Sequence, residues 1–573
     1  MSNNIKCTKK IGQGVYGNIY STTNNNLACK QFIDFTDGFS EIQYYVLSNL
    51  NKTNQNCIKM HYVEFKLGRN STIIDFSDNS CHNKYDNDKL ESKLFMYIEK
   101  FDSNLRIVKQ VSSCSKIDNR LIMFYLFKSY DNLYQNFIIH GDLKLDNILI
   151  KNMVNMFGSK IYRPYICDFG LSIIHVNNLP GSYDLPDLNY IQTINYRAPE
   201  LMFGDCHFDY KIDIWSIGVI MLKLYNKLDK SILDCCSYNK QIVSLFRFFG
   251  NNHVNNYLES INANYKKNGQ KNTNNKSMKP LIIENLKHDN DHQMIDLITK
   301  LLELNPKNRI TMKEIFEHPY FREYGLTYQF NERNPIAFLN NYFDANGIKY
   351  NDIFKINSIM PKQARFTMYS KMCKSIKLMK PNSNYINYEL VLRTIYLFDE
   401  FLVKSDKKYM RHEYIFMLQM LCHLVYNPKK TFDYHISQKY IINSIENEHK
   451  QIITWSHADD LFHDLMINLN FVTSIPTYLN YLPEITNFNN YQSNYNVSSN
   501  TDMWKLLMYV VADINHYKYP KYEIIKFLFD ITSCILPINF QYNTLFNDLI
   551  NGSLSVLKLD HVTTNNIKII LHH

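Results

Sequence analysis

The sequence predicts a two-part protein, with an α+β, two-lobed first half and an all-α second half. Three observations carry that expectation. Strand-like alternation surrounds a glycine triplet near the start, short motifs rich in charged and amide side chains follow in order up to about residue 321, and beyond them apolar residues recur at helical spacing. At 573 residues the chain is too long for one ordinary core. Its 45% hydrophobic and 20% charged content is the balance of soluble globular protein, so disorder does not dominate.

Several function classes lose support at once. The first residues, MSNNIKCTKK, hold no apolar targeting core, and no run of 18 apolar residues occurs. An intracellular protein of cytoplasm or nucleus, without membrane contact, is the expectation. The twelve cysteines are scattered, with no C-x-x-C and one adjacent pair, Cys235 and Cys236, so reduced thiols are expected rather than disulfides or zinc ligands. A formal charge of +9 without a dense Lys/Arg block gives at most weak support for nucleic-acid binding, and no nucleic-acid partner is expected. The Asn-rich stretches 269–279 and 487–500 read as polar loops.

The stretch KKIGQGVYGNIYSTTNNNLACKQF reads as a β-hairpin, a turn at Asn24 to Asn26 and a third strand. Around Gly12, Gly14 and Gly17, with Ile11, Gln13, Val15, Tyr16 and Asn18 between and beside them, backbone amides would close over a triphosphate, where a Cβ would obstruct close approach. The glycine pattern alone is weak, and a hairpin without function reads the same way. Lys30 sharpens it, because it follows on the next strand at a spacing suited to neutralising phosphate charge.

From this point the chain resembles the eukaryotic protein kinases, from about Ile5 to Phe321, and the resemblance implies their bilobal fold with ATP and Mg²⁺ as cofactors. HGDLKLDN would supply Asp142 as the base toward the substrate hydroxyl, Lys144 beside the γ-phosphate and Asn147 for one metal ion; CDFG would supply Asp168 for the other. Glu41 is the candidate partner of Lys30, although the apolar phase of its helix fits Gln43 better. KLFMYIEKFDSNL resembles the hinge, with Ile98 behind the purine, the backbones of Glu99 and Phe101 on its edge, and Ile19, Ala28 and Leu149 against its faces. YRAPE and DIWSIG resemble the end of the activation segment and the helix that anchors the catalytic loop, and Arg309 resembles the partner of Glu200. Lys144 and Thr193 are similar to the serine/threonine pattern. Arg197 before APE is similar to the cyclin-dependent-kinase-like branch, which implies protein substrates with proline after the phosphoacceptor.

One departure raises a question of control. The three arginines that gather an activating phosphate in many kinases are replaced here by Ser40, Gly141 and Ile173, and the usual acceptor position is Leu188, beside Asp187. An enzyme that needs no activating kinase follows. Ser172, Ser182, Tyr183 and Tyr190 remain as candidate modification sites in that segment.

After residue 321 the stretches 388–402, 414–425, 458–471, 503–514 and 522–536 would bury broad helical faces. This half resembles the cyclins. The stretch 365–379, opening on Arg365, is similar to the first helix of a cyclin box, LFDEFL (397–402) to the end of the second, and 469–482 to the fifth, with Phe462 where cyclins place an interface glutamate. The expected layout is a β-rich N-lobe at 1–100, a helical C-lobe at 101–321, a linker at 322–354, a first cyclin-like domain at 355–485 and a second at 486–573. The resemblance implies a kinase fused to its own activator, docked in cis or in trans. Open alternatives are a generic helical domain that recruits substrate for an active kinase, and a pseudokinase or scaffold that binds kinase or cyclin partners.

Overall fold

The computed structural model describes residues 5–49, 57–76, 80–85, 91–111, 116–154, 160–176, 191–204, 208–226, 237–261, 291–339, 350–360, 388–426, 434–449 and 452–470, with Arg365, Tyr369, Met372, Leu507, Val510, Ile524 and Leu528 described singly. The Asn-rich stretches 269–279 and 487–500, together with Ser182, Tyr183, Asp187, Leu188 and Tyr190, lie outside them. Four single residues are all that is described of the expected second cyclin-like domain.

The alternating first segment forms β1 (Cys7–Gln13), β2 (Gly17–Thr22) and β3 (Leu27–Phe32). They belong to a seven-stranded antiparallel sheet of order β1-β2-β3-β7-β4-β5-β6, completed by β4 (Met60–Gly68), β5 (Asn70–Asp75), β6 (Ser80–Tyr85) and β7 (Glu91–Glu99). Helix α1 (Phe35–Asn49) packs on β7 and β3, burying Phe39 and Ile42 beside Phe65, Leu94 and Met96. The β5–β6 hairpin widens the sheet beyond β4. Its short, polar strands give a weaker sequence signal than the core strands.

The second lobe is mostly helical. It holds α2 (Leu105–Val111), α3 (Lys116–Gln135), α4 (Pro199–Met202), α5 (Lys211–Tyr225), α6 (Tyr238–Phe249), α7 (Asn251–Ser260), α8 (His292–Leu301), α9 (Met312–Glu317) and α10 (Pro319–Arg322). Every residue of α5 is buried, which fits a helix that is mostly apolar all round, with Lys211, Asp213, Ser216 and Lys223 as its polar exceptions. Helix α9 starts with the T-x-x-E box visible in its sequence, Thr311 and Glu314 satisfying each other's backbone amides. Short strands lie at the junction of the lobes: β8 (Ser103–Asn104), β9 (Ile138–Ile139), β10 (Ile148–Val154), β11 (Lys160–Ile166) and β12 (Ile173–Ile174). They pair as β11-β10-β8 and β12-β9.

Residues 322–339 of the expected linker are not bare connection, and 340–349 lie outside the described residues. Leu326, Tyr328 and Phe330 are half-buried while Thr327 and Gln329 face solvent, an extended run laid against the C-lobe. Tyr328 donates to Asp131 at 2.7 Å, a helical turn covers 335–339, and Leu339 is fully buried.

The second half is helical where described: α11 (Tyr350–Ile359), α12 (Tyr388–Lys404), α13 (Arg411–Tyr426), α14 (Tyr434–His449) and α15 (Trp455–Asn468). α11 and α14 were not among the expected helices. Arg365 and Asp399, both fully buried, form a two-pronged ion pair at 2.6 and 2.7 Å, and Tyr369 donates to the same carboxylate. This half touches the N-lobe directly. Phe462 of α15 lies 6.5 Å from Phe35 and 6.4 Å from Phe39 of α1, Tyr434 lies 5.4 Å from Phe35, and the Asn70 amide donates to Asp460 at 2.7 Å.

No described helix is long and apolar enough to cross a membrane. Among the described residues Cys7, Cys29, Cys57, Cys81, Cys167 and Cys422 are free thiols.

Candidate active site

The cleft between sheet and helices collects the charged residues singled out above. Lys30 reaches across from β3 to Glu41 of α1 at 2.5 Å and to Asp168 at 2.8 Å. The geometry therefore decides for Glu41 over Gln43. Burial pulls the Lys30 ammonium down, but Glu41 and Asp168 more than offset it and hold its pKa above the ordinary lysine value. For Glu41 the balance runs the other way, burial pushing its carboxyl up to about 7 against the pull of Lys30. At Asp168 burial also raises, yet Lys30 wins and the carboxyl stays below its usual range. Phe169, the next residue, lies 4.8 Å from Tyr45 of α1 and 5.2 Å from His140, which ties the helix to the catalytic loop.

The catalytic loop hangs from α5. Asp213 is fully buried, and its carboxylate accepts the backbone amides of His140 at 2.6 Å and Gly141 at 3.1 Å and the Tyr130 hydroxyl at 3.0 Å. Burial lifts its pKa to about 7 although all three donors oppose this. The loop so held presents Asp142, one oxygen taking the Thr193 hydroxyl at 2.6 Å and the other Lys144 at 2.6 Å and the Asn147 amide at 3.2 Å. Three side chains from two segments thus converge on one carboxylate, and Lys144 also reaches Thr193 at 3.2 Å.

Gly141 has φ +73°, and a Cβ there would lie 2.7 Å from the Leu171 carbonyl oxygen. No side chain fits. Ile173 is an apolar member of β12, Ser40 is buried on α1, and Ser172 is fully buried with its hydroxyl donating to the His140 carbonyl at 3.0 Å. That burial removes Ser172 from the candidate modification sites.

Farther along, Arg197 donates to the carbonyls of Ile191 at 3.0 Å and Gln192 at 2.9 Å, and Gln192 has φ +64°. Arg309 pairs with Glu200 through two bonds of 2.8 and 3.0 Å, both side chains out of solvent.

The expected nucleotide surfaces lie above this floor. Gly17 packs so close to β3 that a Cβ would sit 2.6 Å from the Gln31 carbonyl oxygen, and Gly14 donates to the Gly17 carbonyl at 2.8 Å to close the loop. Val15 is 81% exposed at the tip, so this turn offers backbone rather than side chain there. Ile11 is also exposed, and Gln13 accepts from Lys10 at 2.8 Å. Tyr16 turns inward, its ring against Gly170; burial and the charges of Asp142 and Asp168 push its hydroxyl up to about 12. Asn18 pairs with Gln31, Ile19 with Lys30, and Ala28 with Ile98 across adjacent strands, while Leu149 lies in β10 opposite Asn104 and Tyr165. The Glu99 amide is taken by the Lys59 carbonyl at 3.1 Å and its carboxylate by Lys151 at 3.0 Å, which leaves its carbonyl as the group for a purine edge. Phe101 follows against Tyr165.

This set fits ATP and Mg²⁺. Asp168 is an ionised carboxylate open to the cleft. The Asn147 amide nitrogen is spent on the Asp142 carbonyl and carboxylate, leaving its oxygen, and oxygen donors from one or two side chains plus phosphates are what Mg²⁺ takes.

Known proteins resemble this chain over part of its length. Cyclin-dependent kinase E-1 of Arabidopsis thaliana is 27% identical over 328 residues, 55% of this chain and 65% of that protein. The probable serine/threonine-protein kinase glkA of Dictyostelium discoideum is 24% identical over 321 residues, 56% and 59% of the two chains. Glycogen synthase kinase 1 of Pyricularia oryzae is 28% identical over 205 residues, 36% and 47%. The chain spans less than two thirds of the length of each. A chain in the solved CAK complex of Chaetomium thermophilum bound to ATP-γ-S superposes with a TM-score of 0.43 at 21% identity, covering 57% of this chain and 93% of that one. Residues 5–321 match the family described as protein kinase domain, more than half of the chain, and on that match this chain belongs to the protein kinase family.

Proposed function

We propose that the chain is a serine/threonine protein kinase that moves the γ-phosphoryl group of ATP to a protein hydroxyl followed by proline, and that its helical half is a cyclin-like activator acting in cis inside the cell. The observation that carries this reading is the Glu41–Lys30–Asp168 chain of ion pairs, completed on a helix whose Phe35 and Phe39 are covered by Phe462 and Tyr434 of the helical half. With α1 held from that side, Glu41 stays against Lys30. Tethering raises the local concentration to the order of millimolar, so the contact needs little intrinsic affinity.

The chemistry follows from the residues. Asp142 takes the proton of the substrate hydroxyl as its oxygen bonds to the γ-phosphorus, and the bond to the ADP oxygen breaks. Lys144 neutralises charge on that phosphoryl group, Thr193 orients Asp142, and Lys30 holds the α- and β-phosphates. Mg²⁺ on Asn147 and Asp168 would supply further positive charge for a loose anionic transition state.

Proline preference is supported by Arg197. It draws the Ile191 and Gln192 carbonyls toward its guanidinium, which makes them poorer partners for the amide of the residue after the phosphoacceptor, and proline has no amide to leave unpaired. Independence from an activating phosphate is supported by Gly141, where no side chain fits. The cyclin-like reading is supported by the buried Arg365–Asp399 pair, which joins two of the three stretches that carry that resemblance.

The test is peptide phosphorylation by the full chain with ATP and Mg²⁺, with Asp168→Asn as blank and Ser-Pro compared with Ser-Ala peptides. Phe462→Asp should abolish turnover while nucleotide binding persists. Full activity of Phe462→Asp would return the helical half to substrate recruitment. Nucleotide binding without turnover by the unchanged chain would leave a scaffold.

A further inference from the structure

The segment after α10 runs along α3 and ends against the root of the catalytic loop. Gln135 donates to the Asn331 carbonyl at 2.7 Å, and two residues on, the Arg333 guanidinium sits in a three-ring nest: 4.2 Å from the Tyr134 ring, 4.5 Å from Phe137 and 4.8 Å from Tyr210. It also donates to the Tyr134 carbonyl at 3.3 Å. Phe338 closes the far side, 4.9 Å from Phe137.

Phe137 is an unusual residue to be gripped in this way. It is 2% exposed and has φ +55°, a left-handed backbone that a bulky side chain adopts only when its surroundings hold it. In that conformation its carbonyl accepts the His175 amide at 2.7 Å. The next two residues, Ile138 and Ile139, pair with Ile174 and Ile173, and then the chain enters His140, Gly141 and Asp142. The strained residue is therefore the point at which the catalytic loop is registered on the segment that follows Asp168.

We infer that residues 326–339 form a strap and that Arg333 is a positioning residue of the kinase, acting through Phe137 on Asp142. A cation over three ring faces favours the strained arrangement of those rings over a relaxed one. The catalytic unit consequently extends through Leu339 and does not stop at Phe321. The inference rests on the kinase reading for its effect on turnover, but not for its effect on the loop.

The test uses the full chain with Arg333→Ala and Arg333→Lys. For Arg333→Ala we expect a fall in kcat of about ten- to a hundredfold, the cost of a small misplacement of the reacting groups, with KM for ATP changed by no more than about twofold. Arg333→Lys, which keeps the charge and loses the planar stack, should fall between. Amide hydrogen exchange is read alongside, and the His175 amide, bonded to the Phe137 carbonyl, and the Ile139 amide, in the hydrogen-bonded pair with Ile173, should exchange faster in Arg333→Ala while the β3 and β7 amides do not. Unchanged exchange at His175 and Ile139 would overturn the proposal whether or not the chain turns over ATP. So would a loss of kcat and ATP affinity together with faster exchange throughout the kinase half, the mark of a merely structural residue. Should the unchanged chain phosphorylate no peptide, the exchange arm still decides the strap, and the reading as an active kinase fails separately.

Discussion

The imidazole of His463 lies flat on the ring of Phe65, with centroids 5.2 Å apart and planes 9° apart. One ring belongs to α15, the other to β4, so this stack is part of the seam between the helical half and the N-lobe. Burial draws the imidazole pKa down to about 4, with Asp464 opposing, so the neutral ring is the form that stacks. Away from the seam the histidine takes its proton near its ordinary value of about 6.5. The folded pKa is depressed, so the unfolded chain binds the proton first and stability falls as pH drops from about 6.5 toward 4. Thermal melting across that range should show the loss, and His463→Phe should lessen it without removing it, because burial draws His423 down to about 4 as well.

Glu41 gives the opposite sign within the active site. Its folded pKa is raised to about 7, so below that pH the folded protein carries a protonated Glu41 and the ion pair with Lys30 is incomplete. Peptide kcat/KM should therefore rise as pH passes upward through about 7. Glu41→Gln should lower kcat/KM by about tenfold or more and remove that limb of the profile. A Glu41→Gln chain that kept the limb would transfer it to another group, Asp213 first.

Restoring an arginine at Gly141 should not create a phosphate switch. A side chain there has to adopt a left-handed backbone, at roughly 1–2 kcal/mol, and its Cβ would press on the Leu171 carbonyl. Gly141→Ala should lower the melting temperature by a few degrees, and Gly141→Arg should lower it at least as much without raising activity. Calorimetry with a parallel peptide assay measures both.

Asp399→Ala leaves the Arg365 guanidinium buried without its carboxylate, a loss of about 3–5 kcal/mol. Calorimetry should show the helical half melting first, while added ATP still raises the melting temperature of the kinase half. Asp399→Asn, which keeps an acceptor oxygen, should lose less.

Legibility in the sequence followed the chemistry. Asp142, Lys144, Asn147 and Asp168 could be read because phosphoryl transfer fixes both their types and their order, and the Arg309–Glu200 pair followed from the same frame. Glu41 was ambiguous because apolar phase along a helix reports what is buried, and both Glu41 and Gln43 are buried. Only the third dimension, with Lys30 on the neighbouring strand, separates them. The strap was passed over because its alternation, Leu326, Tyr328 and Phe330, is too brief and too mixed with polar residues to stand out from a loop. The β5–β6 hairpin was lost for the same reason. Ser172 looked like a loop hydroxyl, and nothing local announces that His140 accepts from it.

The strap also fixes a sequence of events in time. During synthesis Arg333 is added roughly 190 residues after Asp142, which at about 5–20 residues per second is a delay of roughly ten to forty seconds. For most of that interval the nascent chain holds Lys30, Asp142, Lys144, Asn147 and Asp168 but not the Arg333 that would grip Phe137. If the strap acts as inferred, a fragment released in that window should turn over about ten- to a hundredfold more slowly than the whole chain.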